Sequence, residues 1–347
     1  MFESLGFETL TAPQAAVWFA LAIGLAFGVL AQITRFCLRR AVVGEDRKQA
    51  AGVWLTALAV AMLGTQYAVA QGVISFADHR FMAADLPVLA IVAGGLMFGI
   101  GMVLTRGCIS RLTVLTGAGN LRAALVLIVF AITAHAALKG VLAPLRTSLG
   151  SVTLPLDSAA LPGNPLIWTA LIAAAALLFA LRSGNKPGTL ALAALIGALV
   201  PVAWVGTGFV LYDDFDPIAM QSLSFTSPAA DSIFYTVAST AVPANFGAGL
   251  LGGVVIGALL AALLSGGFEW QSFDSPRQTG RYLTGAVLMG LGGVLAGGCT
   301  VGAGLAGIPT LSLAAVLALA SIIAGGLLAQ RALRSGAATA GVLHPAE

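Results

Sequence analysis

Charge is what this chain has least of: Asp, Glu, Lys and Arg together make up 9% of its 347 residues. A soluble domain carries roughly a quarter charged residues, so a water-facing fold is excluded. Cysteine is almost as scarce, at 3. That number cannot build a disulfide framework, and none of the three forms a CxxC pair or a His/Cys cluster with metal-ligand spacing. Histidine also numbers 3, which leaves little acid–base machinery. No GxxxxGK[ST] run is present, so ATP hydrolysis by the chain itself is not expected. No basic n-region precedes a cleavage site, and the first apolar segment reads as a spanning helix rather than a signal peptide. The net charge of +3 is too small to suggest nucleic acid.

What remains is apolar. Hydrophobic residues make up 59% of the chain, the mean hydropathy is +0.97, and there are 43 glycines. This is a polytopic, all-α membrane protein, with glycine serving close helix packing and broken helices. Apolar segments long enough to span a bilayer occur at 14–34, 50–71, 87–105, 122–143, 165–182, 188–210, 245–265, 281–297 and 310–331, which predicts about nine transmembrane helices. Four connections (35–49, 106–121, 211–244 and 298–309) are too apolar and too long for plain loops. Each is expected to hold a short re-entrant half-helix, since irregular backbone at membrane depth survives only under a cover of protein or beside a wet cavity. The five tryptophans, Trp18, Trp54, Trp168, Trp204 and Trp270, fall near predicted helix ends and read as interface anchors.

The cysteines fall in repeats. Phe27-Gly28 precedes Cys37 as Phe98-Gly99 precedes Cys108, and Thr34-Arg35-Phe36-Cys37 matches Thr105-Arg106-Gly107-Cys108. Gly290, Gly292 and Gly298-Cys299 match Gly99, Gly101 and Gly107-Cys108 at a constant offset. The fourth irregular segment lacks a cysteine; Ser222, Ser224 and Ser227 lie where one would be expected. Orientation follows from the basic residues. With the N-terminus outside, 14 of the 17 Lys and Arg residues fall inside, which obeys the positive-inside rule and requires an odd number of spans. A first half (14–143), a linking helix (165–182) and a second half (188–331) of the same plan then form an inverted repeat within a single transmembrane domain, an architecture of transporters.

The runs Arg35-Phe36-Cys37, the Gly-rich helix into Gly107-Cys108, Ser222-Leu223-Ser224-Phe225, Trp270-Gln271-Ser272-Phe273 and above all LMGLGGVLAGGCTVGAGLAG (Leu288 to Gly307) resemble the YeeE/YedE family of bacterial inner-membrane proteins. That resemblance implies uptake of thiosulfate or a related sulfur anion, short central helices, a narrow waist, and an anion path lined by Cys37, Cys108 and Cys299. It also implies a soluble cytoplasmic sulfur carrier as a partner. Arg39, Arg40, Arg111 and the run Gly117 to Arg122 depart from the thiosulfate-importing branch and bear on the substrate.

A thiol is a weak donor and a polarisable acceptor, suited to contacting a sulfur anion without trapping it. The bland alternative is that buried cysteines are small hydrophobes. Gly107, Gly298, Thr300 and Ser224 join the expected pathway through open backbone N–H groups and hydroxyls. Arg35 and Arg106 either attract the anion or fix topology, and Arg39, Arg40 and Arg111 read as cytoplasmic anchors. His135 and Lys139, four apart on one face of the fourth span, either serve the path or satisfy a neighbouring helix and the interface. Asp213, Asp214 and Asp216 make an outer loop acidic, which composition does not explain. No cofactor or metal is expected. The rival reading, a membrane-embedded sulfur-handling enzyme or redox sensor, lacks a general base or metal ligand near its cysteines.

Overall fold

The computed structural model describes residues 10–342, with side chains described to residue 335. Long helices dominate it: α1 (Ala12–Thr34), α3 (Arg47–Ala70), α4 (Val88–Leu104), α6 (Leu121–Lys139), α9 (Pro187–Val205), α11 (Phe246–Leu264), α12 (Pro276–Leu295) and α13 (Leu313–Val342). Eight segments among the described residues are long and apolar enough to cross a bilayer. The expected ninth, α8 (Pro165–Leu181), is a helix of 17 residues, about 25 Å at 1.5 Å per residue. Its few buried residues are small (Thr169, Ala173, Ala176, Ala180), and it packs against α3.

Each of the four irregular segments contains a short helix. These are α2 (Leu38–Val43), α5 (Ile109–Gly117), α10 (Thr226–Val237) and a π-helical turn, Thr300–Gly307, that runs into a 3₁₀ turn at Ile308–Thr310. A further short helix, α7 (Ala143–Gly150), and a two-residue strand pair, β1 (Asp85–Leu86) with β2 (Leu154–Pro155), had no signal in the hydropathy.

Hydrogen bonds between distant segments define two ends. At one end β1 pairs with β2, Ser312 Oγ donates to Phe81 O, and Leu161 N donates to Leu311 O. At the other, Asn185 Nδ2 donates to Gln49 O, Leu121 N to Gln271 O, and Arg281 Nε to Leu104 O. Helix α8 therefore leaves the first end and arrives at the second.

The helices pack in matched pairs. α1 lies against α11 as α9 lies against α3, α4 lies against α13 as α12 lies against α6, and α4 and α12 face one another. Missing side chains make the closest approach possible. A Cβ on Gly28 would stand 2.3 Å from Val254 O, and one on Gly253 would stand 2.2 Å from Leu21 O. The α1–α11 contact is backbone against backbone, as expected where small residues and not hydrophobicity drive helix association in lipid.

Two tryptophans depart from expectation. Trp18 and Trp270 are exposed, as interface anchors should be, but Trp54 and Trp204 are buried in the core. Position along a span gives depth, not facing: the Trp204 indole meets Phe76 and His79 in the loop after α3, and Trp54 lies beside the π-helical turn at Gly304.

Candidate functional site

Each short helix follows a residue at its N-cap position. Cys37 precedes α2, Cys108 precedes α5, Cys299 precedes the π-helical turn, and Phe225 precedes α10. The long helix before each cysteine ends in the same way. Arg35 (φ 53°), Arg106 (φ 59°) and Gly297 (φ 73°), each two residues before its cysteine, adopt the left-handed conformation. Such a residue ends a helix by turning its N–H back onto the last carbonyls; Arg106 N donates to Val103 O and Gly297 N to Val294 O. The turn points the Arg35 and Arg106 side chains out of the fold, and both are exposed. Gly298 is confined by its neighbours, since a Cβ there would lie 2.8 Å from Ala303 N. Gly107 is buried in the corresponding turn.

The three thiols converge. Cys37 Sγ stands 3.9 Å from Cys108 Sγ, and Cys108 Sγ stands 3.2 Å from Ser110 Oγ. Thr300 lies beside Cys108. Cys299 Sγ accepts from Gly302 N at 3.4 Å and lies close to the Phe225 backbone. All three cysteines are free and buried. Around them, the buried hydroxyls of Ser224, Thr226 and Thr300 have no hydrogen-bond partner. Three buried hydroxyls without partners are costly unless something uses them. The rest of the lining is apolar: Phe27 meets Phe225 at 5.4 Å and Phe36 at 6.1 Å.

A cavity of about 1040 Å³ approaches this cluster from the end that carries β1 and β2. Its walls come from the loop after α3, the stretch after α9 and the start of α10, and it bottoms out at Ser224, Gly302 and Ala306. Gly302 is common to both sides: it lines the cavity floor, and its N–H donates to the Cys299 sulfur.

Two arginines that were not expected on the path belong here. Arg80 lines the cavity, has no ion-pair partner among the described residues, and lies within electrostatic reach of Cys299. Its guanidinium sits 5.0 Å above the Phe81 ring. Arg111, expected to be an anchor, turns inward instead. Its Nη1 donates to Ala31 O and Gln32 Oε1, both at 3.3 Å, and its charge reaches Cys37 and Cys108. Position 111 lies three residues into α5, which folds back towards the end of α1, and α1 supplies the Ala31 carbonyl that accepts from the guanidinium. Arg40, by contrast, pairs with Asp46 at the surface, and that guanidinium holds the Asp46 carboxyl below its usual range.

His79, next to Arg80, is packed among Phe76, Phe81 and Trp204, with ring centroids 5.9, 5.0 and 5.2 Å away. Burial, with the Arg80 charge second, holds its imidazole down to about 4. Its Nδ1 accepts from Phe81 N, so the neutral ring shapes the loop that carries Arg80. His135 and Lys139 lie elsewhere: His135 stacks on Phe234 of α10 at 4.8 Å, and Lys139 is exposed at the end of α6. Neither lines the cavity.

Among known proteins, a thiosulfate transporter TsuA from Spirochaeta thermophila is 25% identical over 324 residues, covering 89% of this chain and 96% of that protein. A thiosulfate transporter TsuA from Escherichia coli is 26% identical over 317 residues, covering 82% of this chain and 85% of that protein. The family model described as sulphur transport matches residues 26–328, which includes all three cysteine turns. The chain is therefore a member of the sulphur transport family.

Proposed function

We propose that this protein takes up thiosulfate, or a closely related small sulfur anion, across the bacterial inner membrane. The anion would pass thiols and unpaired hydroxyls at a closed waist. One observation carries the reading: Cys37 and Cys108, distant in sequence, stand 3.9 Å apart with Cys299 within electrostatic reach of Cys108, beneath a cavity whose wall holds an unpaired arginine. Membership of a transport family makes this a mover of solute and not an enzyme.

The cavity end faces outward in this reading, with the N-terminus outside and the C-terminus inside. It carries only Arg80, Lys139 and Arg146 among the basic residues, and the opposite end carries the other 14. The matched helix pairs support two inverted halves related through α4 and α12, with α8 as the linking crossing and the four short helices re-entrant from both sides.

An anion enters the cavity and meets Arg80. Its attraction to a fixed cation is modest in water and several-fold stronger in a partly dry site. Ser224 and Thr300 offer hydroxyl donors that nothing in the protein occupies. The neutral S–H groups of Cys299, Cys108 and Cys37 then make soft, weak contacts, which keep the anion moving where a tight site would hold it. Arg111, and beyond it Arg35 and Arg106, draw it on to the inner face, where a soluble sulfur carrier would receive it.

Uptake of labelled thiosulfate by the purified protein in liposomes tests the reading. Wild-type protein should transport, and the Cys108→Ala/Cys299→Ala variant should insert normally and not transport. Wild-type uptake by that double variant would overturn the thiol path.

A further inference from the structure

Two of the three thiols stand apart from the third. Cys37 and Cys108 are sulfur to sulfur at 3.9 Å, whereas Cys299 accepts from a backbone N–H instead. The close pair joins two different chain reversals, one between α1 and α2 and one between α4 and α5. From the geometry we infer that Cys37 and Cys108 form a reversible disulfide that shuts the transport path, an oxidative lock at the waist. The inference rests on the transport reading for its consequence, but not for the bond itself.

A disulfide needs its sulfurs at about 2.05 Å, so the pair must close by roughly 2 Å from 3.9 Å. The surroundings permit it. Both cysteines sit at N-cap positions with extended backbone, and neither thiol caps its own helix through a side-chain hydrogen bond. Helix α2 is short, with only 6 residues. The attacking species is a thiolate, so one of these S–H groups first gives up its proton, a loss favoured by the Arg111 guanidinium within electrostatic reach of both sulfurs.

The oxidant is a small peroxide, neutral and compact enough to reach a buried sulfur. One sulfur takes a hydroxyl from hydrogen peroxide as the O–O bond breaks, and the first water leaves. The second sulfur displaces that hydroxyl, the S–S bond forms, and the second water leaves. The two electrons given up by the thiol pair reduce the peroxide, and the two thiol protons leave in the waters. A dithiol reductant reverses the bond by exchange. Once formed, the bond ties the two reversals together and removes two S–H donors from the path. An importer of reduced sulfur would then stop under oxidising conditions.

Protein in liposomes is treated with hydrogen peroxide, then denatured, alkylated and digested for mass spectrometry, with thiosulfate uptake measured in parallel. The expected result is one cross-linked peptide pair containing Cys37 and Cys108, lighter by two hydrogens, with Cys299 alkylated. Uptake should fall in proportion to the cross-link and return after dithiol treatment. The Cys37→Ser variant should give no cross-link involving Cys108. Full alkylation of all three cysteines after peroxide would overturn the bond, and a complete cross-link with undiminished uptake would overturn the lock. Untreated liposomes that take up no thiosulfate would sink the transport reading, while the mass of the peptides would still decide whether the bond forms.

Discussion

At the scale of single residues, the site combines soft donors with two cations of different placement. Arg80 stands in the cavity and Arg111 beyond the thiols. Arg80→Gln is expected to raise the KM for thiosulfate by about tenfold, equivalent to about 1.4 kcal/mol of binding, with a smaller change in maximal rate. Arg80→Lys should recover part of it. Uptake kinetics in liposomes measure this, and an unchanged KM in Arg80→Gln would remove Arg80 from the path. His79 makes a pH prediction. Its folded value of about 4 lies below the ordinary 6.5, so the folded state prefers the neutral ring. The corresponding stabilisation is whole above about pH 6.5, erodes as pH falls, and is lost below about pH 4. The melting temperature of wild-type protein should therefore drop across that window by more than that of His79→Gln. Parallel melting curves for the two proteins would remove His79 as the cause.

At the scale of elements, two features do most of the positioning: glycine-mediated helix contacts and left-handed helix ends. Adjacent glycines in α11 separate packing from propensity. A Cβ on Gly253 meets Leu21 O at 2.2 Å, while one on Gly252 meets nothing within 4 Å. Gly252→Ala should be neutral or stabilising by up to about 1 kcal/mol. Gly253→Ala should cost at least the roughly 1–3 kcal/mol of overpacking, because the obstacle is backbone that cannot rotate away. Thermal unfolding in detergent would show the contrast, and equal melting temperatures would refute the close contact. The turns offer a second test. Arg106 holds φ 59° where the equivalent residue before Cys299 is Gly297. Arg106→Gly should therefore preserve or raise stability, and Arg106→Val should lower it by about 1–2 kcal/mol, since a β-branched residue resists the left-handed conformation. If Arg106→Gly keeps stability but slows uptake, the side chain serves the anion. If it reverses orientation, the arginine is a topology anchor.

At the scale of the whole molecule, the two ends differ in charge and in shape. The cavity opens at the end poor in Lys and Arg, and Asp213, Asp214 and Asp216 lie in a loop at that same end. With that end outward, a cysteine introduced for Asp157 should react with an impermeant maleimide added to intact cells, and one introduced for Lys186 only after the membrane is opened. Both positions are exposed, and the native thiols are buried, so background labelling is low. The opposite pattern would invert the protein and turn the cavity into an exit.

The sequence by itself determined the membrane class, the approximate spans, the four segments that harbour short helices, and the repeat that sets Cys37, Cys108 and Cys299 at equivalent turns. These are local properties. A bilayer demands about 20 apolar residues per crossing, and a chain reversal leaves its mark within a few neighbouring residues. Only the tertiary structure decided that those turns meet, that Cys37 pairs with Cys108 more closely than with Cys299, and that Thr300 and Ser224 have hydroxyls left free. It also decided that Arg111 turns inward while Arg35 and Arg106 turn out, and that Trp54 and Trp204 face the core. Which way a side chain faces depends on the rotation of each helix about its axis. That rotation is set by contacts between residues more than two hundred positions apart, such as Gly28 with Val254. In a chain that is apolar on every side, hydropathy carries no record of it.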